Sequence, residues 1–191
     1  MIKPNIKNSK FGHIVLGQEL DFTYPDIWVR EKTTGPDRLA IAPREKQTEL
    51  LIDLMSAMDG PFGILYVLVA PRGEGMPGRY QSPEPLNADQ VQSFLNRFRR
   101  FLEEEGRHSL WIASVSSPSM LVYDRHNVIY AYGDLERFKQ VLLSHSLEER
   151  ESVNLPDPHI HRYHAAYDEL AKEMLCYRDW IFSELRDSDE R

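Results

Sequence analysis

FGILYVLVA (residues 62–70) is followed by PRGEGMPGRYQSPEPL (71–86) and then by NADQVQSFLNRFRRFLEEEG (87–106). The first segment is apolar without alternation, which is typical of a central strand that is covered on both faces. The third segment has apolar residues at helical spacing behind Asn87, and Gln90 is placed to complete a capping box. The stretch therefore predicts a buried strand, a long loop and a capped amphipathic helix.

The flanking sequence adds further strands and two more helices. Residues 109–115 predict another strand, and residues 120–132 predict a hairpin whose turn has Asp124 and Asn127 at favourable positions. Apolar residues at helical spacing indicate helices after Pro43 and after Asp134. Three short segments separated by turn residues predict an antiparallel meander at 13–17, 27–30 and 38–42.

The C-terminal part predicts the longest helix, from about residue 161 to residue 185. Its apolar residues alternate spacings of four and three, which indicates a seam laid along a partner surface. That surface is either this domain or a second copy, so a homodimer through the C-terminal helix is one interpretation. The seam consists of Tyr163, Tyr167, Leu170, Met174, Tyr177 and Ile181.

The predicted fold class is α+β, with a mixed, mainly antiparallel sheet of about six strands, three packing helices and this long amphipathic C-terminal helix. We expect a single domain over residues 11–185. Residues 1–10 are predicted to be a flexible N-terminus and residues 186–191 a frayed charged tail.

Composition excludes several classes of function. Thirty acidic and 23 basic residues give a net charge of −7, which disfavours binding to nucleic acid. The apolar run at 62–70 is far shorter than the roughly 20 residues of a membrane span, and no secretory signal is expected. Because Cys176 is the single cysteine, no intramolecular disulfide can form, and we predict a cytoplasmic protein.

The densest group of functional side chains is His159, His161, His164 and Asp168, preceded by Asp157. If a helix begins at residue 161, then residues 161, 164 and 168 share one face and could hold zinc or another divalent cation. An open coordination position could then activate water. The alternative is structural, with an extended entry segment, a packed His164 and no metal, since the spacing matches no defined zinc signature.

Residues 71–86 form a second candidate site. Arg72, Glu74, Arg79 and Tyr80 lie in this segment, and arginine and tyrosine are enriched at the centres of protein interfaces. No Gly-Lys-Ser/Thr sequence follows the glycines, so a phosphate-binding loop is not predicted. The alternative is a long, solvated surface loop.

A third set is aromatic: Trp111, Tyr123, Tyr130 and Tyr132 lie on a predicted strand and the following hairpin. Such rings could line a pocket for a small ligand, although core packing and cross-strand pairing explain them equally well. No Gly-x-Ser-x-Gly sequence surrounds the serines at 114–117, so a serine nucleophile is not predicted.

The leading functional hypothesis is a non-enzymatic interaction protein that binds and neutralises a partner protein, such as an immunity protein acting on a bacterial toxin. The hypothesis rests on the negative net charge, the absence of catalytic motifs and the loop at 71–86 with its arginines and tyrosine. The partner would be a basic toxin domain whose association is accelerated by electrostatic steering. It requires no cofactor. The alternative is a metal-dependent hydrolase or metal-binding protein that uses the histidine cluster with a cation such as zinc.

Overall fold

The structure, a computed structural model, describes residues 9–73 and 75–189. Those residues form twelve strands and four α-helices, which confirms the predicted α+β class. The strands are β1 Phe11–Val15, β2 Gln18–Asp21, β3 Ile27–Glu31, β4 Arg38–Ala42, β5 Phe62–Leu68, β6 Gly78–Gln81, β7 His108–Ser114, β8 Met120–Tyr123, β9 Ile129–Tyr132, β10 Glu148–Glu149, β11 His159–His161 and β12 Ile181–Ser183. The helices are α1 Gln47–Ser56, α2 Ala88–Glu104, α3 Leu135–Ser144 and α4 Asp168–Cys176, and a 3-10 turn at Ala165–Tyr167 precedes α4.

Nine strands form one large sheet in the order β10-β3-β4-β9-β8-β7-β5-β6-β12, and three form a small sheet in the order β11-β1-β2. The pairing of β10 with β3 is parallel, and the other recorded pairings are antiparallel. The prediction of about six strands was too low because β6, β10 and β12 are short strands without a strand-like sequence pattern, and β10 and β12 form the two edges of the large sheet. The first meander strand was also misplaced, since β1 pairs with β2 and β11 instead of β3.

The helices pack on one face of the large sheet, where they enclose the main hydrophobic core. The capping box predicted for α2 is present, because Asn87 Oδ1 accepts a hydrogen bond from the Gln90 N–H and Gln90 Oε1 accepts one from the Asn87 N–H, each at 2.9 Å. The central strand β5 alternates between buried and half-buried over its first residues, whereas Tyr66, Val67 and Leu68 are all buried, so only its second half is covered on both faces. No helix of residues 9–73 and 75–189 is long and apolar enough to cross a membrane.

The small sheet covers part of the opposite face of the large sheet. A second apolar cluster joins the two sheets, and the cluster includes Phe11, Tyr24, Ala40 and Val128. The small sheet does not fully cover β7, β8 and β9. The side chains of these strands that point away from the helices are therefore mostly half-buried.

The predicted C-terminal helix over 161–185 was wrong. Residues 159–161 pair with β1, residues 168–176 form the helix α4, and residues 181–183 extend the large sheet beside β6. Backbone bonds to distant segments compete with the helix at its predicted start, where the Arg162 N–H donates to Lys10 O at 3.0 Å and the Gly106 N–H donates to Arg162 O at 3.0 Å. The continuous seam that suggested a homodimer is therefore divided among three elements, and the homodimer stays a prediction.

The two predicted flexible ends are held where the structure describes them. Lys10 is 1 % exposed, whereas residues 1–8 lie outside the described residues. At the other end Asp189 is buried and forms an ion pair with Arg79 at 2.5 Å, so residues 186–189 are anchored to β6. Residues 190 and 191 lie outside the described residues.

The buried amine of Lys10 makes stability depend on pH. Its Nζ donates a hydrogen bond to Asp124 O at 2.7 Å and lies 3.8 Å from the centroid of the Tyr123 ring. Burial lowers the pKa of Lys10 to about 7, far below its ordinary value of 10.5. Between those two pH values the unfolded chain binds one more proton than the folded chain, so the free energy of unfolding rises with pH.

We therefore expect the free energy of unfolding to gain about 1 kcal/mol per pH unit from this group between about pH 7 and pH 9.5. Urea unfolding in EDTA, followed at several pH values, measures the slope. The variant Lys10→Met should flatten it, because the unfolded chain then carries no titrating amine at this position. An unchanged slope in Lys10→Met would contradict the assignment to Lys10.

Candidate metal centre

Three imidazoles meet where the small sheet approaches the large one. His126 lies in the turn between β8 and β9, and His159 and His161 lie on β11. One ligating atom from each side chain lies within 4.8 Å of those of the other two, and the ring centroids are 4.8 to 5.4 Å apart. All three residues are half-buried. We call these three residues the histidine triad.

The turn that presents His126 is fixed by its own side chains. Asp124 Oδ1 accepts hydrogen bonds from the N–H groups of His126 at 2.8 Å and Val128 at 2.9 Å. Asn127 has the left-handed conformation that the sequence predicts, with φ of 60°, and the Tyr123 hydroxyl donates to its Oδ1 at 2.6 Å. The backbone therefore holds the imidazole in a defined place.

The other two imidazoles owe their common direction to strand geometry. Side chains two residues apart on a strand point to the same face, so His159 and His161 both project toward the turn. Pairing with β1 fixes the register, with Phe11 opposite His161 and His13 opposite His159. A one-residue change of register would turn both imidazoles away.

Two rings of the histidine triad are oriented by hydrogen-bond acceptors. The Nδ1 atom of His126 lies 3.0 Å from Asp124 Oδ2, and the Nδ1 atom of His159 lies 3.1 Å from Pro156 O. Since a carboxylate and a carbonyl oxygen only accept, each Nδ1 carries the hydrogen, and Nε2 is the atom left for a metal. Metal-ligating histidines are held by this same type of contact.

The third ring, His161, carries an unpartnered nitrogen. Its Nδ1 atom is buried and has no hydrogen-bond partner among the described residues. Burial, followed by the positive charge of Arg125 and the two neighbouring imidazoles, lowers the pKa of His161 to about 3. The ring is therefore neutral at physiological pH and keeps a lone pair for a metal ion.

Three imidazoles of this kind suit zinc. Zinc binds histidine nitrogen at about 2.0–2.1 Å, and three protein ligands leave a fourth position for water or substrate. Tetrahedral bonds of that length place the nitrogens about 3.3 Å apart, so the triad would contract by about 1.5 Å or less around the ion. The arrangement can hold a cation that polarises a carbonyl or lowers the pKa of bound water to about 7.

His164 and Asp168, which were predicted to complete the metal site, lie elsewhere. His164 Nε2 contacts Ser9 O at 3.0 Å, and Asp168 forms ion pairs with Arg72 and Arg107 at 3.3 Å each. They do not share a helix face with His161, because His161 lies on β11 and α4 begins only at Asp168. Among the described residues, Asp157 is also outside the group of potential ligands.

The loop candidates are mostly integrated into the fold. Arg79 is 8 % exposed in its ion pair with Asp189, and Tyr80 is 9 % exposed with its hydroxyl donating to Met76 O at 2.7 Å. Arg72 is exposed and pairs with Asp168, while Glu74 lies outside the described residues. Among the described residues of this loop, Arg72 thus has a different ion-pair partner from Arg79, and Arg79 and Tyr80 offer no exposed Arg/Tyr surface.

Sequence reasoning missed His126. The segment 124–127 predicted a turn, and nothing in its pattern indicates that residues 159–161 return to it. The one available signal is an aspartate two positions before a histidine, where its carboxylate can hold the imidazole. That signal is too common to select one histidine among the seven in the chain.

Comparison of the chain with protein-family models, with curated proteins and with solved structures found no match. Function is therefore inferred from the geometry of the histidine triad and its surroundings.

Proposed function

We propose that this chain is a divalent-metal-dependent hydrolase whose mononuclear centre, with zinc as the expected ion, is held by His126, His159 and His161. The observation that carries the proposal is the convergence of three imidazoles, two with Nδ1 tied to an oxygen and one with a buried, unpartnered nitrogen.

A structural role alone explains this arrangement poorly. A buried polar atom without a hydrogen bond costs about 1–3 kcal/mol, and His161 Nδ1 has no compensating contact. A cation bound to all three rings would turn that cost into a coordinate bond. The Asp124 carboxylate would in turn raise the basicity of His126 as a ligand.

The hydrolytic part follows from the number of ligands. Three histidine ligands leave one position open, and an open position on zinc generates hydroxide near neutral pH. That hydroxide is a nucleophile for esters, amides and related neutral acyl groups. The described residues supply the metal ligands and the carboxylate that orients one of them.

The first test is the metal content of the untagged protein after reconstitution with zinc and gel filtration. We expect one zinc per chain in the wild type and in His164→Ala, and loss of zinc in His161→Ala. His164→Ala is the matched control, since it removes an imidazole three residues away that makes no contact with the triad. Equal zinc in both variants, or no zinc in the wild type, would reject the proposed centre.

The second test is hydrolysis of 4-nitrophenyl acetate by the zinc-loaded protein. We expect a rate at least about tenfold above that of the EDTA-treated protein, rising through an inflection near pH 7 as bound water ionises. If the zinc-loaded protein lacks this activity, the chain binds the metal but does not hydrolyse activated esters, and the hydrolase proposal is rejected for them.

The interaction protein that neutralises a basic toxin domain stays a prediction. Its expected surface depended on exposed Arg79 and Tyr80, and both residues are buried within the large sheet. The net charge of −7 still permits a basic partner. The described structure offers no contact that favours this function over the metal centre.

A further inference from the structure

A cavity of about 530 Å³ lies on the face of the large sheet opposite the helices. The register of β7, β8 and β9 places Trp111 opposite Val122 and Val122 opposite Tyr130, so these side chains form one row across the cavity floor. Tyr132 and Val67 extend the apolar lining. Of the aromatic residues predicted to line a pocket, Tyr123 alone is elsewhere, fully buried on the helix side.

Two charged side chains that line this cavity, Arg38 and Asp189, each form an ion pair. Arg38 donates from Nε to Glu31 Oε2 and from Nη1 to the Tyr132 hydroxyl, both at 2.7 Å. Asp189 is neutralised by Arg79 at 2.5 Å. Among the described residues that line the cavity, no arginine or lysine is therefore left without a counter-charge for an anionic ligand.

The cavity is next to the histidine triad, because His126 belongs to both. Asp124 and His126 line the cavity, and the same two residues form the carboxylate–imidazole contact at 3.0 Å. Asp124 Oδ1 is already used by the N–H groups of its own turn. A molecule in the cavity would thus contact a metal ligand and the carboxylate that orients it.

We infer that this cavity binds an uncharged aromatic small molecule, packed on Trp111 and Val122 with one edge against His126. The volume is within the range of about 300–1,000 Å³ that is typical of small-molecule sites. Aromatic walls favour a planar ligand, and an added negative charge would lose its hydration without gaining a positively charged partner. That this molecule is the substrate of the metal centre rests on the proposed function, whereas its binding does not.

The test compares two fluorescent probes with the same anilinonaphthalene skeleton. N-phenyl-1-naphthylamine is uncharged, and 1-anilinonaphthalene-8-sulfonate adds one negative charge. We expect the uncharged probe to bind at one site per chain, at least about tenfold more tightly than the sulfonate. Equal affinity for the two probes, or no binding of the uncharged probe, would overturn the inference.

Variants locate the binding site. We expect Trp111→Ala and the cavity-filling Val122→Phe each to weaken the uncharged probe about tenfold or more, and Trp111→Phe to retain most of the affinity. Tyr163→Ala is the matched control, because this ring is 39 % exposed and does not line the cavity. Unchanged affinity in Val122→Phe and in folded Trp111→Ala would place the probe elsewhere and overturn the inference.

The titrations are run both in EDTA and with one equivalent of zinc. Probe binding in EDTA by a protein that takes up no zinc would support the cavity and reject the proposed function. Zinc uptake by a protein that binds neither probe would support the metal centre and reject the binding of an uncharged aromatic molecule in the cavity.

Discussion

The variant Arg107→Met is expected to lower the free energy of unfolding by about 3–5 kcal/mol. Arg107 is 2 % exposed, and its Nη2 donates to Glu105 Oε2 at 3.0 Å and to Asp168 Oδ1 at 3.3 Å. Glu105 is fully buried, and its other carboxylate oxygen has no partner among the described residues. Removing the guanidinium therefore leaves a buried carboxylate without its counter-charge. Urea unfolding of the folded variant and the wild type measures the difference.

Two further variants separate the effect of the stranded charge from the effect of replacing an arginine by methionine. Arg137→Met makes the same substitution in the exposed pair with Asp59, and we expect a change of about 1 kcal/mol or less. The double variant Arg107→Met with Glu105→Gln should recover part of the loss, because it also removes the stranded negative charge. A loss of less than about 1 kcal/mol in Arg107→Met would show that this pair does not stabilise the fold.

Zinc is expected to raise the melting temperature of the wild type by about 5–10 °C at a free concentration 100 times the dissociation constant. Binding to the native state alone contributes about 2.7 kcal/mol under that condition. For a chain of this size each kcal/mol corresponds to about 2–4 °C. The histidine triad joins a turn of the large sheet to a strand of the small sheet, so zinc bound to it would oppose the separation of the two sheets.

Each variant is compared with and without zinc, so its own effect on stability cancels. His126→Ala and His159→Ala should lose most of the shift, since each removes one of three ligands. His145→Ala should keep it, because that imidazole lies at the C-terminal end of α3, contacts Asp53 of α1 at 2.7 Å and is not one of the three clustered imidazoles. A shift of equal size in all three variants would assign the zinc to another site.

Local patterns predicted the elements whose causes are local. The box between Asn87 and Gln90, the aspartate that caps α3, and the left-handed Asn127 all depend on contacts within four residues. The apolar face of α2 is likewise a property of its own sequence, and the structure buries Phe94 in the core. The α+β class followed because strands and helices both occur along the chain without strict alternation.

The C-terminal region failed for the opposite reason. Tyr163, Met174 and Ile181 have a helical spacing, but the segments at the two ends of the predicted helix pair with distant strands. His161 pairs with Phe11 and Ile181 pairs with Gln81, in both cases about 100 residues or more away in sequence. Spacing within one segment contains no information on such partners.

The histidine site was predicted in part. His159 and His161 were identified because histidines are concentrated there, and their alternation on an extended segment was considered as the structural alternative to a metal site. The third imidazole, His126, reaches them through the pairing of β1 with β11 and the packing of the two sheets, which no local pattern encodes. Helical spacing wrongly favoured His164 and Asp168 instead.

The most direct test of the metal centre is X-ray absorption at the zinc edge of the reconstituted, untagged protein. We expect a first shell of nitrogen and oxygen at about 2.0–2.1 Å, with outer-shell scattering from three imidazoles that falls to two in His126→Ala. A sulfur ligand at about 2.3 Å, or an imidazole count that His126→Ala leaves unchanged, would contradict the assignment of zinc to His126, His159 and His161.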